Sequence, residues 1–307
     1  MNTLDVVVVV VTYNSAAVVT DLLAGLPAAV GDLRAHVVVV DNGSTDATLA
    51  AVQPYPVHVI RSSNIGYAGA INLGVASAPA SETVLVLNPD VTLAPLSVVT
   101  MMQTLASSPR IGIVAPQLRG ADGSLQRSLR REPTLLRAAG LGRTRYPLLC
   151  EHFARDSDYA HRRTVDWAVG AVLLFSRRSY ESLGGWDESF FLHSEETDFC
   201  LRAAAEGWAT VYEPEARAMH IGQASGYSGR VHTMQVVNRV RFYRRRHGLF
   251  ASWAYFALTA LVELSWLVRG KSQSRTALPA LLLPSRDRKS TRLNSSHIQK
   301  SRMPSSA

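Results

Sequence analysis

The sequence predicts an α/β protein with a mostly parallel, doubly wound sheet and helices on both faces. Three observations carry this. The runs Asp5 to Thr12 and His36 to Val40 are dominated by β-branched residues without alternation, the pattern of strands buried on both faces. Helix-length stretches separate the strands, and strands alternating with helices build a parallel sheet. Polar residues then fall just after strands, at Thr12, Asp41 and Asp90, and in such a sheet these ends share the edge where ligands bind.

In chain order, the first strand runs into Thr12-Tyr13-Asn14-Ser15, where Ser15 can cap a helix reaching about Leu26. The second strand ends at Asp41-Asn42-Gly43-Ser44-Thr45-Asp46, with Asp46 or Ser44 as cap of the next helix. Val57 to Arg61 is a third strand, and the segment from Asn64 to Asn72 opens a third helix. Val84 to Leu87 leads into Asn88-Pro89-Asp90. Proline has no amide hydrogen, so it stands at the strand's end and offers Asp90 at the carboxyl edge. Taken alone, the tripeptide reads equally as a turn that ends a strand. A further strand spans Ile111 to Val114, and Arg119 to Leu125 contains a turn-forming Asp-Gly.

Composition is that of an ordinary globular chain, 47% hydrophobic and 18% charged. The two cysteines, Cys150 and Cys200, have no metal-finger spacing and predict no disulfide framework. The net charge of +8 misleads. Residues 286–307 hold four Arg and two Lys against one Asp, which is +5 of the total and leaves +3 for the rest. Two of the three lysines lie there, and Arg288 to Ser296 reads as translated adaptor or vector sequence. Residues 286–307 are therefore expected to be a non-native or disordered tail, with a basic nucleic-acid or membrane tail as the rival reading. Met1 to Asp5 lacks a basic n-region, and Val6 to Val11 is too short and β-branched for a spanning helix, which predicts a cytosolic N-terminus.

The first turn, Thr-Tyr-Asn-Ser, has no GxGxxG, and no P-loop is present. What remains is a mononucleotide site without a glycine-rich phosphate cradle. A metal on Asp90 is one way to neutralise a diphosphate there. The segments Val11 to Ser15, Val40 to Asp46, Asn64 to Ala68 and Asn88 to Asp90 resemble, in order and spacing, the family 2 inverting glycosyltransferases of GT-A fold. The rhamnosyltransferase-like branch is the nearest match, over roughly residues 5 to 247. The resemblance implies a Rossmann-like GT-A fold with C-terminal helices. It implies that Asp41 binds the base or ribose of a nucleoside diphosphate sugar and that Thr12, Tyr13 and Asn64 line the nucleotide pocket. Asn14, Asn42, Gly43, Gly66, Tyr67, Asn72 and Asn88 complete that donor site. Asn88 and Asp90 stand where the family carries its DxD element, with Asn in the first place.

Downstream, residues 127–163 are rich in Arg without clean periodicity and read as an exposed insertion on the acceptor side. Gly170 suits close backbone approach. Ser194 reads as an N-cap, and Glu195 and Glu196 in the first helical turn are favoured by the helix dipole alone. The stretch Ser194 to Arg202 with Gly207-Trp208 resembles the family's acceptor-site segment, and Glu196 takes the place of its catalytic Asp. That implies Glu196 as base, with Glu195 and Asp198 as rivals, and Trp167, Gly170, Glu195 and Asp198 as acceptor-binding residues. A lone His is more often structural, but the family has one at His220 after a Pro-Glu turn, and there it completes the metal site. Asp90 with His220 implies Mg²⁺ or Mn²⁺, the latter tolerating nitrogen better.

Basic residues from Arg239 to His247 precede an apolar stretch, Leu249 to Val268, with Trp253 and Trp266 near its ends. This suits a helix on the inner face of the cell membrane, and Glu263 argues against a spanning segment. The expected organisation is a nucleotide-sugar half (1–118), an acceptor half (119–228), C-terminal basic and apolar helices (229–285) and the tail. The expected activity is metal-dependent, inverting transfer of a sugar, L-rhamnose from dTDP-rhamnose. The acceptor is a saccharide or polyprenyl-diphosphate-linked acceptor of cell-envelope polysaccharide synthesis. A UDP-sugar-dependent galactofuranosyl or hexosyl transferase stands second, and a catalytically silent sugar-binding homologue third. Nucleic acid is not among the expected partners. A sugar-nucleotide pyrophosphorylase would need a glycine-rich, Lys-containing first loop, which Thr12-Tyr13-Asn14-Ser15 is not.

Overall fold

A computed structural model describes residues 4–222 and 228–283. The expected tail, 286–307, lies outside the described residues. In order the strands are β1 Leu4–Thr12, β2 Ala35–Asp41, β3 His58–Arg61, β4 Ser81–Leu87, β5 Val91–Leu93, β6 Ile111–Arg119, β7 Leu129–Arg130, β8 Arg163–Val165, β9 Trp167–Ala168, β10 Val172–Ser176 and β11 Ala209–His220. The helices are α1 Val19–Val30, α2 Thr48–Val52, α3 Tyr67–Ser77, α4 Ser97–Ala106, α5 Leu135–Ala138, α6 Arg177–Ser182, α7 Glu195–Ala205, α8 Gly229–Arg246, α9 Leu249–Val268 and α10 Ser274–Leu282.

The main sheet has the order β3-β2-β1-β4-β10-β6-β11-β5, with β8 beside β11. Its first four strands are mutually parallel, as is β6 with β11. β10 enters antiparallel between β4 and β6, and β5 and β8 pair antiparallel with β11.

The valine run of β1 is explained by its two faces. Val7, Val9 and Val11 pack under α3 and α7 with Ile71 and Phe199. Val6, Val8 and Val10 pack under α1 and α4 with Leu22 and Met101. Neither face meets water, so no alternation is required. α3 lies so close that a Cβ on Gly74 would stand 2.6 Å from Val9 Cγ1 and 3.0 Å from Val40 Cγ2. Gly74→Ala is therefore expected to cost about 1–3 kcal/mol by overpacking, only partly offset by helix propensity. Urea unfolding measures it, and an unchanged midpoint refutes the close approach.

Several local expectations change. Ser15 does not cap α1 through its side chain: its carbonyl accepts from Val18 and Val19, and Val18 is the cap position. Ser194 precedes α7 in the left-handed region, φ 75°, and makes no side-chain cap. Asp46 accepts from the Thr48 amide at 3.0 Å, while Ser44 turns back to Asp41. The Pro-Glu stretch before His220 is no turn but a bulge inside β11, where the register against β6 shifts between Glu213 and Arg217.

α8 is buckled onto the body by its arginines. Arg245 meets Asp187 at 2.5 Å, Arg241 donates to Ser189 O at 2.7 Å, and Arg239 pairs with Glu151 and donates to Tyr255 at 2.7 Å. Arg239, Arg241 and Arg245 are thus engaged with the protein, while Arg244, Arg245 and Arg246 remain exposed. α9 carries the opposite surprise. Its buried residues are Ser252, Tyr255 and Glu263, whereas Phe250, Trp253, Leu261 and Leu264 are exposed. Glu263 turns inward to His232 of α8, Oε2 to Nε2 3.0 Å. Among the described residues this one helix is long and apolar enough to cross a membrane, by length and composition.

Candidate active site

Thr12 and Asp41 are register partners across β1 and β2, so the two strand ends bring hydroxyl and carboxylate together. Thr12 Oγ1 donates to Asp41 Oδ1 at 3.1 Å, and the Ser44 amide and hydroxyl donate to the same carboxylate. Gly43, φ +86°, makes the turn that returns Ser44 to it, a conformation glycine adopts without a Cβ penalty. Asn14, itself left-handed at φ 51°, accepts from the Thr45 amide at 2.8 Å and ties the first loop to the second. Tyr13 makes no side-chain hydrogen bond among the described residues. Asn64 accepts from Asn42 Nδ2 at 3.2 Å and from the Gly66 amide at 3.3 Å.

Two residues assigned to the donor are used otherwise. Asn72 accepts from Tyr180 and the Trp186 amide, both at 3.0 Å, and donates to Trp186 O and Glu188. Its amide is fully occupied and locks α3 to the turn at Gly184-Gly185. Asn42 spends its side chain on Asn64, Gly66 O and the Ile65 amide, which shapes the loop from within.

Gly66 opens α3 against the later half of the chain. A Cβ there would lie 2.7 Å from Phe191 O, and the Tyr67 amide donates to that carbonyl at 2.8 Å. Tyr67 then reaches the centre. Its phenol donates to Asn88 Oδ1 at 2.7 Å, with Gly170 O at 3.3 Å. Burial raises its pKa far above the ordinary value, and the charges of Glu195, Glu196 and Asp90 add to this. Asn88 and Gly170 therefore meet at one phenol, on which Asp90 and the acidic pair act through their charge.

Asp90 and His220 are brought together by the antiparallel pairing of β5 with β11, in which His220 is the partner of Val91. His220 Nε2 is 3.5 Å from Asp90 Oδ1. Gln126 fixes the imidazole: it donates to His220 O at 2.6 Å, and its Oε1 lies 3.1 Å from Nδ1. With Nδ1 bearing the proton toward Gln126, Nε2 keeps a lone pair for a cation. Among the described residues no cluster of three or more His, Cys, Asp or Glu side chains gathers around an ion. The pair fits a divalent ion that takes its remaining ligands from donor phosphates and water.

Opposite stands the start of α7. His193 and Ser194 are consecutive left-handed residues, φ 68° and 75°. Such strain persists only where the surroundings enforce it. Asn238 of α8 enforces it, donating to Leu192 O at 2.9 Å and His193 O at 3.3 Å. Phe199 stacks on Trp186, centroids 4.7 Å apart, and holds the helix below. The result presents Glu195 and Glu196, each with its Oε2 buried and unpartnered. Burial raises both carboxyls. Glu196 adds to the rise at Glu195, whereas backbone hydrogen bonds and Arg130 restrain the rise at Glu196. Gly170 faces Glu196: a Cβ would stand 3.2 Å from Glu196 Cβ. Gly170→Ala is expected to displace that carboxylate and lower kcat by roughly 10–100-fold with donor affinity unchanged, measured by turnover and calorimetry. Equal turnover would remove Gly170 from the site.

Two acceptor assignments change as well. Asp198 is held by Arg202, Oδ2 to Nε 2.6 Å, and Arg202 fixes Leu183 O and Gly185 O, so this carboxylate braces α7. Trp167 is buried and its indole donates to Arg131 O at 3.1 Å. The sequence reading missed Gln126 and Arg130. Neither carries a local signal: both become relevant only because β7 and the Asp-Gly turn fold back on the main sheet.

Strand ends that hold a carboxylate without a glycine-rich loop, together with a buried acidic pair at the start of α7, are in keeping with a glycosyltransferase of GT-A fold. The family described as Glycosyl transferase family 2 matches residues 7–170, and the chain belongs to it. It is 34% identical over 231 residues to an N-acetylglucosaminyl-diphospho-decaprenol L-rhamnosyltransferase of Mycobacterium tuberculosis, covering 69% of this chain and 75% of that one. It is 25% identical to the rhamnosyltransferase WbbL of Escherichia coli K12 over 70% of this chain and 83% of that one. Among solved structures, a mannosyltransferase of Pyrobaculum calidifontis in complex with GDP-Man and Mn²⁺ superposes with TM-score 0.56 at 18% identity, covering 94% and 87% of the two chains. That likeness supports the fold.

Proposed function

We propose that this glycosyltransferase is an inverting, metal-dependent rhamnosyltransferase. It moves L-rhamnose from dTDP-rhamnose to a lipid-diphosphate-linked saccharide in cell-envelope polysaccharide synthesis. The observation that carries the reading is the Tyr67 phenol, which meets both Asn88, two residues before Asp90, and the carbonyl of Gly170, against which Glu196 packs. One phenol thus joins the strand-end corner read as the donor side to the carboxylate read as the acceptor side. The names of the 34% and 25% identical relatives support rhamnose as the sugar.

Asp41 and Thr12 hold the nucleoside, with Tyr13 and Asn64 beside it. Asp90 and His220 would hold Mg²⁺ or Mn²⁺, which would supply positive charge to the diphosphate leaving group. Glu196 takes the proton from the acceptor hydroxyl as that oxygen attacks the anomeric carbon. Its raised proton affinity suits it to that step near neutral pH. A single displacement inverts the anomeric centre, so no covalent sugar–enzyme bond forms. Residues 1–118 serve the donor, 119–228 the acceptor, and 229–285 the C-terminal helices. α9 faces lipid in the inner leaflet: its exposed apolar side and inward polar side are arranged as a lipid contact requires.

A thermal-shift screen of dTDP- and UDP-sugars with Mn²⁺ tests the donor. The expected result is stabilisation by dTDP-rhamnose above the UDP-sugars. The reverse order would replace rhamnose with the hexosyl reading, which a Haloferax volcanii hexosyltransferase at 30% identity also supports.

A further inference from the structure

A cavity of about 570 Å³ opens between the 135–154 segment and the end of α9, away from the strand-end corner. Arg127, Arg137, Arg143, Arg145 and Arg239 line it with His152. Its one acid, Glu151, is already paired with Arg239. Arg143 and Arg145 carry no ion pair or hydrogen bond through their side chains among the described residues. His152 is held down to about 4, by burial first and then by Arg130, Arg239 and Arg127, so it is neutral and the cavity's charge is that of its arginines. Guanidinium forks match phosphate oxygens bidentately.

The surroundings name the rest of the ligand. Trp266 of α9 stands in the cavity wall, and Leu141, Tyr146 and Leu148, beside the lining residues in the chain, are exposed. The arginine loop is pinned to that helix, since a Cβ on Gly140 would stand 2.8 Å from Val262. On the inner side the cavity touches the catalytic half. Arg130 bridges to His152 on one edge and pairs with Trp167 on the other. Trp167–Ala168 leads to Gly170, against which Glu196 packs. Two strand spacings, about 10 Å, thus separate His152 of the cavity from Trp167, whose strand leads on to Gly170 and the base.

We propose that this cavity binds the diphosphate of an isoprenoid-diphosphate-linked acceptor. The lipid chain lies along the exposed face of α9 and the sugar points toward Glu196. This rests on the reading of the chain as a transferase to a lipid-linked saccharide, and it adds where the lipid phosphate sits.

The full chain is titrated calorimetrically with geranyl diphosphate, with inorganic pyrophosphate and, separately, with dTDP and Mn²⁺. Geranyl diphosphate is expected to bind more tightly than pyrophosphate. The double variant Arg143→Ala/Arg145→Ala is expected to weaken it at least tenfold with dTDP affinity unchanged. Trp266→Ala should weaken geranyl diphosphate and leave pyrophosphate alone. Both arginines are exposed, so folding is not at issue. Wild-type affinity in the double variant, or no binding by the wild type, overturns the site. Equal affinity for pyrophosphate and geranyl diphosphate overturns its lipid part. Failure of dTDP binding would instead overturn the underlying transferase reading, so the two failures are separable.

Discussion

Replacing Glu196 by Gln is expected to lower the rate of sugar transfer by about 10²–10⁴-fold, the usual contribution of a positioned general base. Donor affinity should stay within about twofold, because the donor corner is built by Asp41, Thr12 and Asp90 on other elements. The rival is its neighbour. Glu195 is more deeply buried, and its carboxyl is raised by burial and then by Glu196. The more strongly raised of the two carboxyls makes the poorer base, so Glu195→Gln should cost far less than Glu196→Gln. If the order is reversed, the base is Glu195; if Glu196→Gln turns over normally, the assignment fails.

The same pair fixes two signs with pH. Glu196 works as a base only when ionised, and its folded pKa is raised. Transfer should therefore fall on acidification at a pH above the ordinary Glu value of roughly 4.3. For stability the sign is opposite. A raised carboxyl binds more protons in the folded state than in the unfolded one. Its stabilisation is complete below the unfolded pKa and is lost as pH rises through the folded value. Glu196→Gln removes this burial penalty, so the inactive variant should melt at a higher temperature than wild type near pH 7. A calorimetric scan at pH 5 and pH 7 reads this, and an equal gap at both would contradict it.

Much of this was legible in the residue order. An apolar run without alternation can only be a strand covered on both sides, and β1 is that. Thr12, Asp41 and Asp90 each end or follow a strand of the parallel set, and that alone puts them on one edge. Asn72 and Asp198 misled because a polar residue near a motif looks the same whether it faces a ligand or its own chain. Only the arrival of Trp186 and Arg202, from segments distant from Asn72 and adjacent to Asp198, showed that both side chains were already satisfied. The arginines of α8 were legible only in part: a charge run is read by sign, but the partners of Arg239 and Arg245, Glu151 and Asp187, lie more than fifty residues upstream. The buried Glu263 shows the reverse case. It weakens a membrane reading along the sequence, yet in the fold it turns to His232 and leaves the apolar side of α9 outward.

Asp90→Asn is expected to abolish the Mn²⁺ dependence of donor binding. The change keeps volume and leaves the Asp90 carbonyl free to accept from the Ile221 amide at 3.1 Å, so the corner should keep its shape. What is lost is the single negative charge of the proposed Asp90–His220 pair, and an uncharged pair cannot offset a cation's dehydration. Asn88 does not replace it, because its oxygen accepts the Tyr67 phenol. The loss should exceed the roughly 10–100-fold that removal of an outer partner brings. Gln126→Leu supplies that comparison. His220 then loses the contact that orients Nδ1, and Mn²⁺ affinity should fall within that smaller range while donor binding without metal stays constant. Titrations of nucleotide with and without Mn²⁺ measure both variants. If Asp90→Asn titrates like wild type, Asp90 is no ligand; if Gln126→Leu does, His220 is not held for a cation by this contact.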